Sequence, residues 1–279
     1  MTSFLIEGGY PLQGEITPSG NKNAALPLLA ASLLTEEPVV LHNIPDIGDA
    51  RAMRRLLESL GVTVELLDPN SWRMTARNVR RGNLDPELCR QIRASILLAG
   101  PMLGRAGGID IPPPGGDVIG RRRVDTHLLA LRALGAETEF ADRQYHIDAP
   151  EGLHGADVLL DEASVTATEN AIMAAVTAPG ETVLRNAASE PHVQELCLFL
   201  NSLGARIENV GSNTLHIHGV EGLSGGEYTI GPDYLEVVSF IGAAAVTGGE
   251  IRIRDAGPKH LGMIRLVFER LGVTWEVDG

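Results

Sequence analysis

Apolar residues recur along the chain in a pattern that alternates between two kinds of helix. One kind is apolar on almost every side, as in AALPLLAASLL, AIMAAV and VVSFIGAAAV, which predicts helices that are buried all round. The other kind, as in RRLLESL and LVFERL, has a charged face and predicts helices that cover a sheet. Each helix of the second kind ends at a Leu-Gly step, and a predicted strand follows it: VTVEL, AETEF, ARIEN or VTWEV.

The Leu-Gly step marks an internal repeat. It recurs at intervals of about 70 residues, at Gly61, Gly135, Gly204 and Gly272. Around each step the order is apolar helix, strand, amphipathic helix, strand, although the second unit is less regular than the others. The pattern therefore predicts an α/β protein built from repeated βαβα-type units, each with one inner and one outer helix.

Composition and charge narrow the class of protein. The 279 residues are 44% apolar and 4% aromatic, which is typical of a globular protein with an aliphatic core. A net charge of −13 argues against a nucleic-acid partner, and no apolar run is long enough to predict a membrane span. No signal peptide is indicated, and Cys89 and Cys197 lie in helical patterns that suggest no disulfide. We therefore expect a cytoplasmic protein.

The first candidate for chemistry is a lysine at the entrance of an apolar helix, in PSGNKNAALP. Ser19, Asn21 and Asn23 are residues that cap helices, so Lys22 is predicted to lie at a helix N-terminus. A cation there is unfavourable by a few tenths to about 1 kcal/mol, because that end of the helix carries a partial positive charge. The same end binds anions, so the lysine fits a multiply charged ligand; a solvated surface lysine is the alternative.

The second candidate is the loop PPPGGDVIGRRRVDTH, residues 112–127. Its prolines and glycines exclude regular helix or strand, and Asp117 at its tip is followed by Arg121, Arg122 and Arg123. Loops of this length and composition are often lids over a site. A turn aspartate followed by solvated arginines explains the same residues equally well.

Motifs for metals and nucleotide cofactors are not found. His216 and His218 share one face of a predicted strand, but no third ligand has suitable spacing, so a surface strand is favoured over a metal site. The sequence contains neither GxxxxGKS nor GxGxxG. No specific motif therefore indicates a P-loop or a Rossmann fold.

Four segments resemble a known family: SGNKNAALPLLAASLL, IRASILLAGPMLGR, GGDVIGRRRVDTHLLALRALGAE and SVTATENAIMAA. They resemble enolpyruvyl transferases, and the branch that acts on UDP-N-acetylglucosamine more than the shikimate-pathway branch. The resemblance runs from about Leu12 to the end of the sequence. It implies an inside-out α/β barrel fold, with two domains of three units each and the apolar helices inside.

The resemblance also implies a division into domains. Residues 21–231 would form the first domain with three repeat units, and residues 1–20 and 232–279 would belong to the second domain, with about one unit. Six units would need roughly 420 residues, so the second domain is expected to be incomplete in this sequence. The family's general base, an aspartate, and further arginines that bind phosphoenolpyruvate would lie in the remaining units. The chain is then either part of a longer enzyme or a protein without catalysis.

The reaction that the resemblance implies is transfer of enolpyruvate from phosphoenolpyruvate to the 3-hydroxyl group of UDP-N-acetylglucosamine, with release of phosphate. It is the first committed step of peptidoglycan precursor synthesis, and so serves cell wall biogenesis, cell shape and cell division. The expected partners are these two small-molecule substrates, without nucleic acid or membrane, and the implied reaction needs no metal and no organic cofactor. The alternative is a non-catalytic nucleotide-sugar-binding protein that lacks the C-terminal catalytic units.

Residue roles follow from the resemblance position by position. The catalytic residues would be Asp117 as the proton donor, Lys22 and Arg122; Lys22 would hold phosphoenolpyruvate, with Asn23 beside it. Arg93 matches an arginine that binds the uridine nucleotide, and Asp49 and Glu190 are supporting acidic positions. The expected nucleotide site comprises Arg122, Arg123, Val124, Asp125, Thr126, Glu162, Ala163, Ser164 and Val165.

Four positions depart from the usual family pattern. Asp117 replaces the cysteine that most members carry, and a carboxyl group with an ordinary pKa of about 3.9 is ionised at neutral pH. We expect desolvation on loop closure to raise its pKa so that it can donate a proton. Arg123 replaces a usual proline, Glu162 a usual lysine and Tyr234 a common arginine, which leaves the identity of the acceptor open.

Overall fold

The computed structural model describes residues 3, 5–116 and 123–278, and the chain forms two compact units. One unit is Lys22–Ile230, and the other combines Met1–Asn21 with Gly231–Gly279. Most of the core belongs to the first unit, in which a single cluster of buried, mainly aliphatic side chains extends from Ala24 to Ile230.

Helices and strands alternate along the chain. The helices are α1 (Lys22–Ala31), α2 (Gly48–Ser59), α3 (Pro86–Gln91), α4 (Ala99–Ala106), α5 (Asp125–Ala133), α6 (Val165–Ala175), α7 (Pro191–Ser202), α8 (Tyr234–Thr247) and α9 (Gly262–Arg270). Short 3-10 helices cover Ser32–Leu34, Arg93–Leu98 and Pro258–His260. The strands are β1 (Gln13–Ile16), β2 (Val39–His42), β3 (Thr63–Asp68), β4 (Ser71–Thr75), β5 (Gly108–Ile111), β6 (Glu137–Ala141), β7 (Gln144–Asp148), β8 (Asp157–Leu159), β9 (Glu181–Arg185), β10 (Arg206–Glu208), β11 (Thr214–His218), β12 (Gly226–Thr229) and β13 (Glu250–Ile253).

The repeat is visible in three sheets of the Lys22–Ile230 unit, which share one strand order. Two of them run β12-β2-β4-β3 and β8-β9-β11-β10, with a parallel pair first and an antiparallel hairpin last. The third runs β5-β7-β6, and a parallel bridge from Asn83 to Asp110 takes the place of its outer strand. In each unit the amphipathic helix connects the central strand to the hairpin, so the predicted order of elements is confirmed.

The inner helices of this unit are buried as their composition predicts. Residues Ala24–Ala31 of α1 and Ala167–Ala175 of α6 are buried without interruption. The helices also approach each other closely: a Cβ atom on Gly100 of α4 would lie 2.4 Å from the carbonyl oxygen of Asn170 on α6. Among the described helices, none has the length and apolar composition needed to cross a bilayer.

The glycines of the Leu-Gly steps end the outer helices in the way the sequence predicts. Gly61, Gly135, Gly204 and Gly272 have φ values of +97°, +103°, +102° and +82°. This left-handed conformation is easily adopted by glycine, and it turns the chain from the helix into the next segment. Gly61 has a second constraint, since a Cβ atom there would lie 2.4 Å from the Asn78 carbonyl oxygen.

Two predictions for the fourth unit are wrong. Helix α8 was expected to be buried all round, but Leu235 is 49% and Val246 is 86% exposed. In the compact unit Lys22–Ile230 the inner helices cover one another. In the described part of the other compact unit, α8 packs into a small cluster with Leu261. Residues 273–277 are not a strand. The three matching strands, β3, β6 and β10, each pair with the strand that follows, and among the described residues no strand follows residues 273–277.

Candidate functional site

The candidate site is a cavity of about 380 Å³ in the Lys22–Ile230 unit, at the ends of its helices. The first turns of α1 and α6, the 3-10 helix at Arg93 and the start of α7 contribute most of its wall. Its charged and polar lining residues are Lys22, Asn23, Asp49, Gln91, Arg93, Thr166, Glu169, Glu190 and His192. The helix N-termini add partial positive charge, so the cavity combines features that favour an anionic ligand.

Lys22 is the first residue of α1 and pairs with an acid from the neighbouring helix. Its Nζ atom lies 2.5 Å from Oδ2 of Asp49, in the first turn of α2. The carboxylate therefore compensates both the lysine and the partial charge at the N-termini of α1 and α2. Sequence reasoning ranked Asp49 as a supporting position, and the structure places it in direct contact with Lys22.

Arg93 lies beside residues of the Pro/Gly-rich loop on both sides of residues 117–122. Gly116, the last residue described before residue 117, lines the cavity, and a Cβ atom on it would lie 3.2 Å from the Arg93 nitrogen. After residue 122, the Arg123 carbonyl oxygen accepts a hydrogen bond from the Arg93 guanidinium group at 2.6 Å. The Arg123 side chain forms an ion pair with Asp125.

The two segments that were expected to bind the nucleotide lie next to each other. The Thr126 hydroxyl group donates a hydrogen bond to Asp161 Oδ1 at 2.7 Å, which joins the start of α5 to the loop before α6. In that loop Ser164 is the N-cap residue of α6. The Ser164 backbone N–H donates to the Glu162 carbonyl oxygen at 2.7 Å.

The predicted site residues divide into three groups. Lys22, Asn23, Arg93 and Val165 line the cavity, together with the supporting positions Asp49 and Glu190. The other described positions lie outside the cavity wall: Arg123, Val124, Asp125, Thr126, Glu162, Ala163 and Ser164. Among them, Val124 is buried. Asp117, Arg121 and Arg122 lie outside the described residues.

A chain of buried hydrogen bonds fixes the direction of one hydroxyl group in the cavity wall. The Gly100 N–H donates to Asn170 Oδ1 at 2.7 Å, and Asn170 Nδ2 donates to the Ile96 carbonyl oxygen at 2.8 Å. Nδ2 also lies 3.0 Å from Nδ1 of His127, which must accept because Nδ2 can only donate. The hydrogen of His127 is then on Nε2, 3.0 Å from Thr166 Oγ1, which accepts it. The hydroxyl hydrogen of Thr166 is therefore directed to an acceptor other than His127.

His127 is suited to this role because it stays neutral. Burial, and to a smaller extent the positive charge of Arg93, lowers its pKa to about 3. A neutral imidazole has one donor and one acceptor nitrogen, so the hydrogen bonds from Asn170 through His127 to Thr166 keep one direction over the physiological pH range.

Sequence reasoning missed Glu169, an acid in the second turn of α6. It forms part of the cavity wall although it is 1% exposed. Desolvation raises its pKa well above the usual range, and the negative charge of Glu190 acts in the same direction. The signal was present in the sequence: TATEN places an acid and an amide directly before the apolar run AIMAAV, within one helix.

The histidine pair that was considered as a metal site lies on β11 and faces acidic partners. His216 Nδ1 is 2.9 Å from Glu181, and His218 Nε2 is 3.8 Å from Glu208. Among the described residues, no group of three or more histidine, cysteine or acidic side chains has an arrangement that could hold a metal ion.

Together, the repeated sheets, the buried inner helices and the cavity at their ends define an α/β protein with the fold of enolpyruvyl transferases. Residues 6–279 match the family described as EPSP synthase (3-phosphoshikimate 1-carboxyvinyltransferase), and the chain belongs to this family.

Curated relatives confirm the resemblance to the UDP-N-acetylglucosamine branch of the enolpyruvyl transferases. The chain is 56% identical over 276 residues to a UDP-N-acetylglucosamine 1-carboxyvinyltransferase of Bradyrhizobium diazoefficiens, covering 99% of this chain and 64% of that protein. It is 52% identical over 279 residues to the protein of the same name from Treponema denticola, covering 100% of this chain and 65% of that protein. The chain thus spans slightly less than two thirds of the length of these relatives.

Solved structures confirm the predicted fold class. The enolpyruvyl transferase NikO from Streptomyces tendae matches with a TM-score of 0.84 at 24% identity, over 98% of this chain and 66% of that one. EPSP synthase from Acinetobacter baumannii matches with a TM-score of 0.69 at 18% identity, over 84% of this chain and 53% of that one. At these identities the likeness concerns the fold.

Proposed function

We propose that the protein transfers the enolpyruvyl group of phosphoenolpyruvate to the 3-hydroxyl group of UDP-N-acetylglucosamine. The bond between C2 of phosphoenolpyruvate and its phosphate oxygen breaks, a bond from C2 to the acceptor oxygen forms, and phosphate leaves with the hydroxyl proton. The observation that carries the proposal is the convergence of Lys22 and Arg93 on one cavity, in a chain whose relatives are named for this reaction.

Both substrates are polyanions, and the cavity offers charge for them. Lys22 at the start of α1 would hold phosphoenolpyruvate, with Asn23 beside it. Contacts of a cation with phosphate or carboxylate are stronger than neutral hydrogen bonds, and they favour a transition state in which negative charge develops. The Asp49 carboxylate forms an ion pair with Lys22, so an anion that binds to Lys22 would compete with this carboxylate.

The nucleotide would lie along the surface that begins at Arg93. Residues 123–126 and 162–165 are continuous with it through the Arg93–Arg123 and Thr126–Asp161 hydrogen bonds. Arg122 would bind phosphate, and Asp117 would be the proton donor. Asp117 follows Gly116 in the chain, and Gly116 lies in the cavity wall.

We propose that the reaction is the first committed step of peptidoglycan precursor synthesis, that it takes place in the cytoplasm, and that it uses no cofactor. We also propose that residues 21–231 are the first domain of the family, and that residues 1–20 and 232–279 belong to the second domain.

The test is release of phosphate from phosphoenolpyruvate by the 279-residue chain, with and without UDP-N-acetylglucosamine. The chain has two lysines, which provide a matched pair of variants, Lys22→Met and Lys259→Met. Because Lys22 would form charge-assisted contacts with the substrate, we expect its loss to lower acceptor-dependent release by about 10- to 100-fold. Lys259→Met should leave release unchanged.

Three results are informative. Acceptor-dependent release that falls in Lys22→Met supports the proposal, and release that is equal in both variants contradicts the role of Lys22. Binding of UDP-N-acetylglucosamine without release would favour the alternative, a non-catalytic nucleotide-sugar-binding protein.

A further inference from the structure

Glu169 has a position that the proposed reaction does not explain. It is the acidic residue of α6, it is 1% exposed, and its Oε1 atom has no hydrogen-bond partner among the described residues. Glu169 lines the cavity, and its Oε1 atom is buried. Most buried polar atoms in proteins are hydrogen-bonded, so a carboxyl group with an unpartnered oxygen beside a cavity calls for a ligand or a water molecule. The same wall contains the cations Lys22 and Arg93.

The surroundings of Glu169 decide its charge state. Desolvation is the main reason why its pKa is raised well above the usual range, and Glu190 is the second. The titratable groups on the elements around it are Lys22, Asp49, Arg93, His127, Glu190, His192 and Cys197. Lys22 is paired with Asp49, so its charge is partly compensated. Burial and the negative charge of Glu190 thus both raise the pKa of Glu169, which favours the neutral carboxyl form, a form with one O–H donor.

We propose that Glu169 is a further ligand-binding residue of the cavity, whose neutral carboxyl group donates a hydrogen bond to an oxygen of a bound phosphate monoester. An ionised carboxylate would repel this ligand, whereas a neutral carboxyl group supplies a donor without adding charge. The inference rests on the proposed function, because that function makes phosphoenolpyruvate the anion. It extends the function by a donor on the inner helix, in addition to Lys22.

Two variants separate hydrogen bonding from packing. Glu169→Gln keeps an N–H donor in place of the O–H, and Glu169→Met keeps the length of the side chain but removes the donor. Glu151→Met, at an exposed position of the same unit, is the control. Binding of phosphoenolpyruvate and of inorganic phosphate to the 279-residue chain is measured by titration calorimetry. We expect Gln to bind within about threefold of the unchanged chain and Met to bind at least about tenfold more weakly.

The pH profile and the melting temperature exclude a merely structural role. Affinity of the unchanged chain should fall as pH rises through the pKa of Glu169, because the protonated form binds, and Glu169→Gln should not show this fall. The melting temperature of Glu169→Met should be equal or higher, since an apolar residue replaces an unpartnered buried polar group. Equal affinity of the Met variant, or an identical pH profile for Gln, would overturn the inference.

The outcomes also separate this inference from the proposed function. Anion binding that weakens in Glu169→Met, without acceptor-dependent phosphate release, supports the inference and contradicts the function. Release that is unaffected by Glu169→Met supports the function and contradicts the inference. If neither phosphoenolpyruvate nor phosphate binds to the unchanged chain, both are wrong.

Discussion

Asn170 offers a sharp test of how the inner helices are held together. The side chain is fully buried on α6 and has hydrogen-bond partners on three other elements. These partners are the Gly100 N–H, the Ile96 carbonyl oxygen and His127 Nδ1, at 2.7, 2.8 and 3.0 Å. Asn170→Ala would remove all three hydrogen bonds and leave the three partner atoms inside the protein.

The expected cost follows from the number of groups that are left unpaired. Each neutral hydrogen bond contributes about 1 kcal/mol net, and a buried group that loses its partner costs about 1–3 kcal/mol. Water that enters the vacated space would satisfy part of this demand, and losses above about 5 kcal/mol are exceptional for one substitution. We therefore expect Asn170→Ala to lower the free energy of unfolding by about 3–5 kcal/mol.

The measurement is urea denaturation followed by tryptophan fluorescence. The chain has two tryptophans, and Trp72 is buried in the same compact unit as Asn170. In a Trp275→Phe background the signal reports this unit. Asn201→Ala is the matched control, because Asn201 makes two hydrogen bonds with the backbone of Ile207 at a partly exposed position. There, water can replace both bonds, and we expect a loss of about 1 kcal/mol or less.

A loss below about 1 kcal/mol for Asn170→Ala, or a loss equal to that of Asn201→Ala, would refute the reasoning. It would mean that the three partner atoms find other hydrogen bonds when the amide is removed, and that the helices do not depend on the buried network.

Two further predictions concern histidines. Nitrogen NMR should show His127 as the neutral Nε2–H tautomer with no titration between about pH 5 and 8, since its pKa is lowered to about 3, mainly by burial. A protonation step in this pH range would contradict the assigned tautomer. His146 has a raised pKa because it is hydrogen-bonded to Asp110 at 2.7 Å, so the stability it contributes is fully present below its unfolded pKa and is lost as pH rises through its folded pKa. Asp110→Asn should return the pKa of His146 to its ordinary value, and the decrease in stability at rising pH should disappear. An unchanged dependence of stability on pH would show that the His146–Asp110 pair does not cause the decrease.

The repeat could be predicted from the sequence because local residue patterns determine its elements. Helix type, Leu-Gly steps and alternating strands depend on residues that are near one another in the chain, and the first three units form as these patterns predict. Burial of α8 and pairing of residues 273–277 could not be predicted in this way. Both depend on which elements come to lie beside them, and hydropathy alone does not supply those neighbours.

The cavity was partly predictable for the same reason. Lys22 is predicted from its place at the start of an apolar helix and Arg93 from the family resemblance of the segment IRASI, and the structure brings both to one wall. Asp49 was ranked low because its contact with Lys22 exists only after α1 and α2 have packed. Glu169 was missed because α6 was judged by the apolar run that follows it, although one acid in a buried helix is itself a signal.

The position of Lys22 illustrates how the folded chain changes an inference from sequence. A lysine at a helix N-terminus was explained by an anionic ligand that offsets an unfavourable charge. In the structure Asp49 already does this, and at the N-terminus of α2 the carboxylate is itself in a favourable position. With side chains 45% and 34% exposed, the pair contributes at most about 1 kcal/mol, similar in size to the cost of the lysine. The lysine is thus tolerated without a ligand, and a phosphate has to displace only a weak, exposed ion pair to reach it.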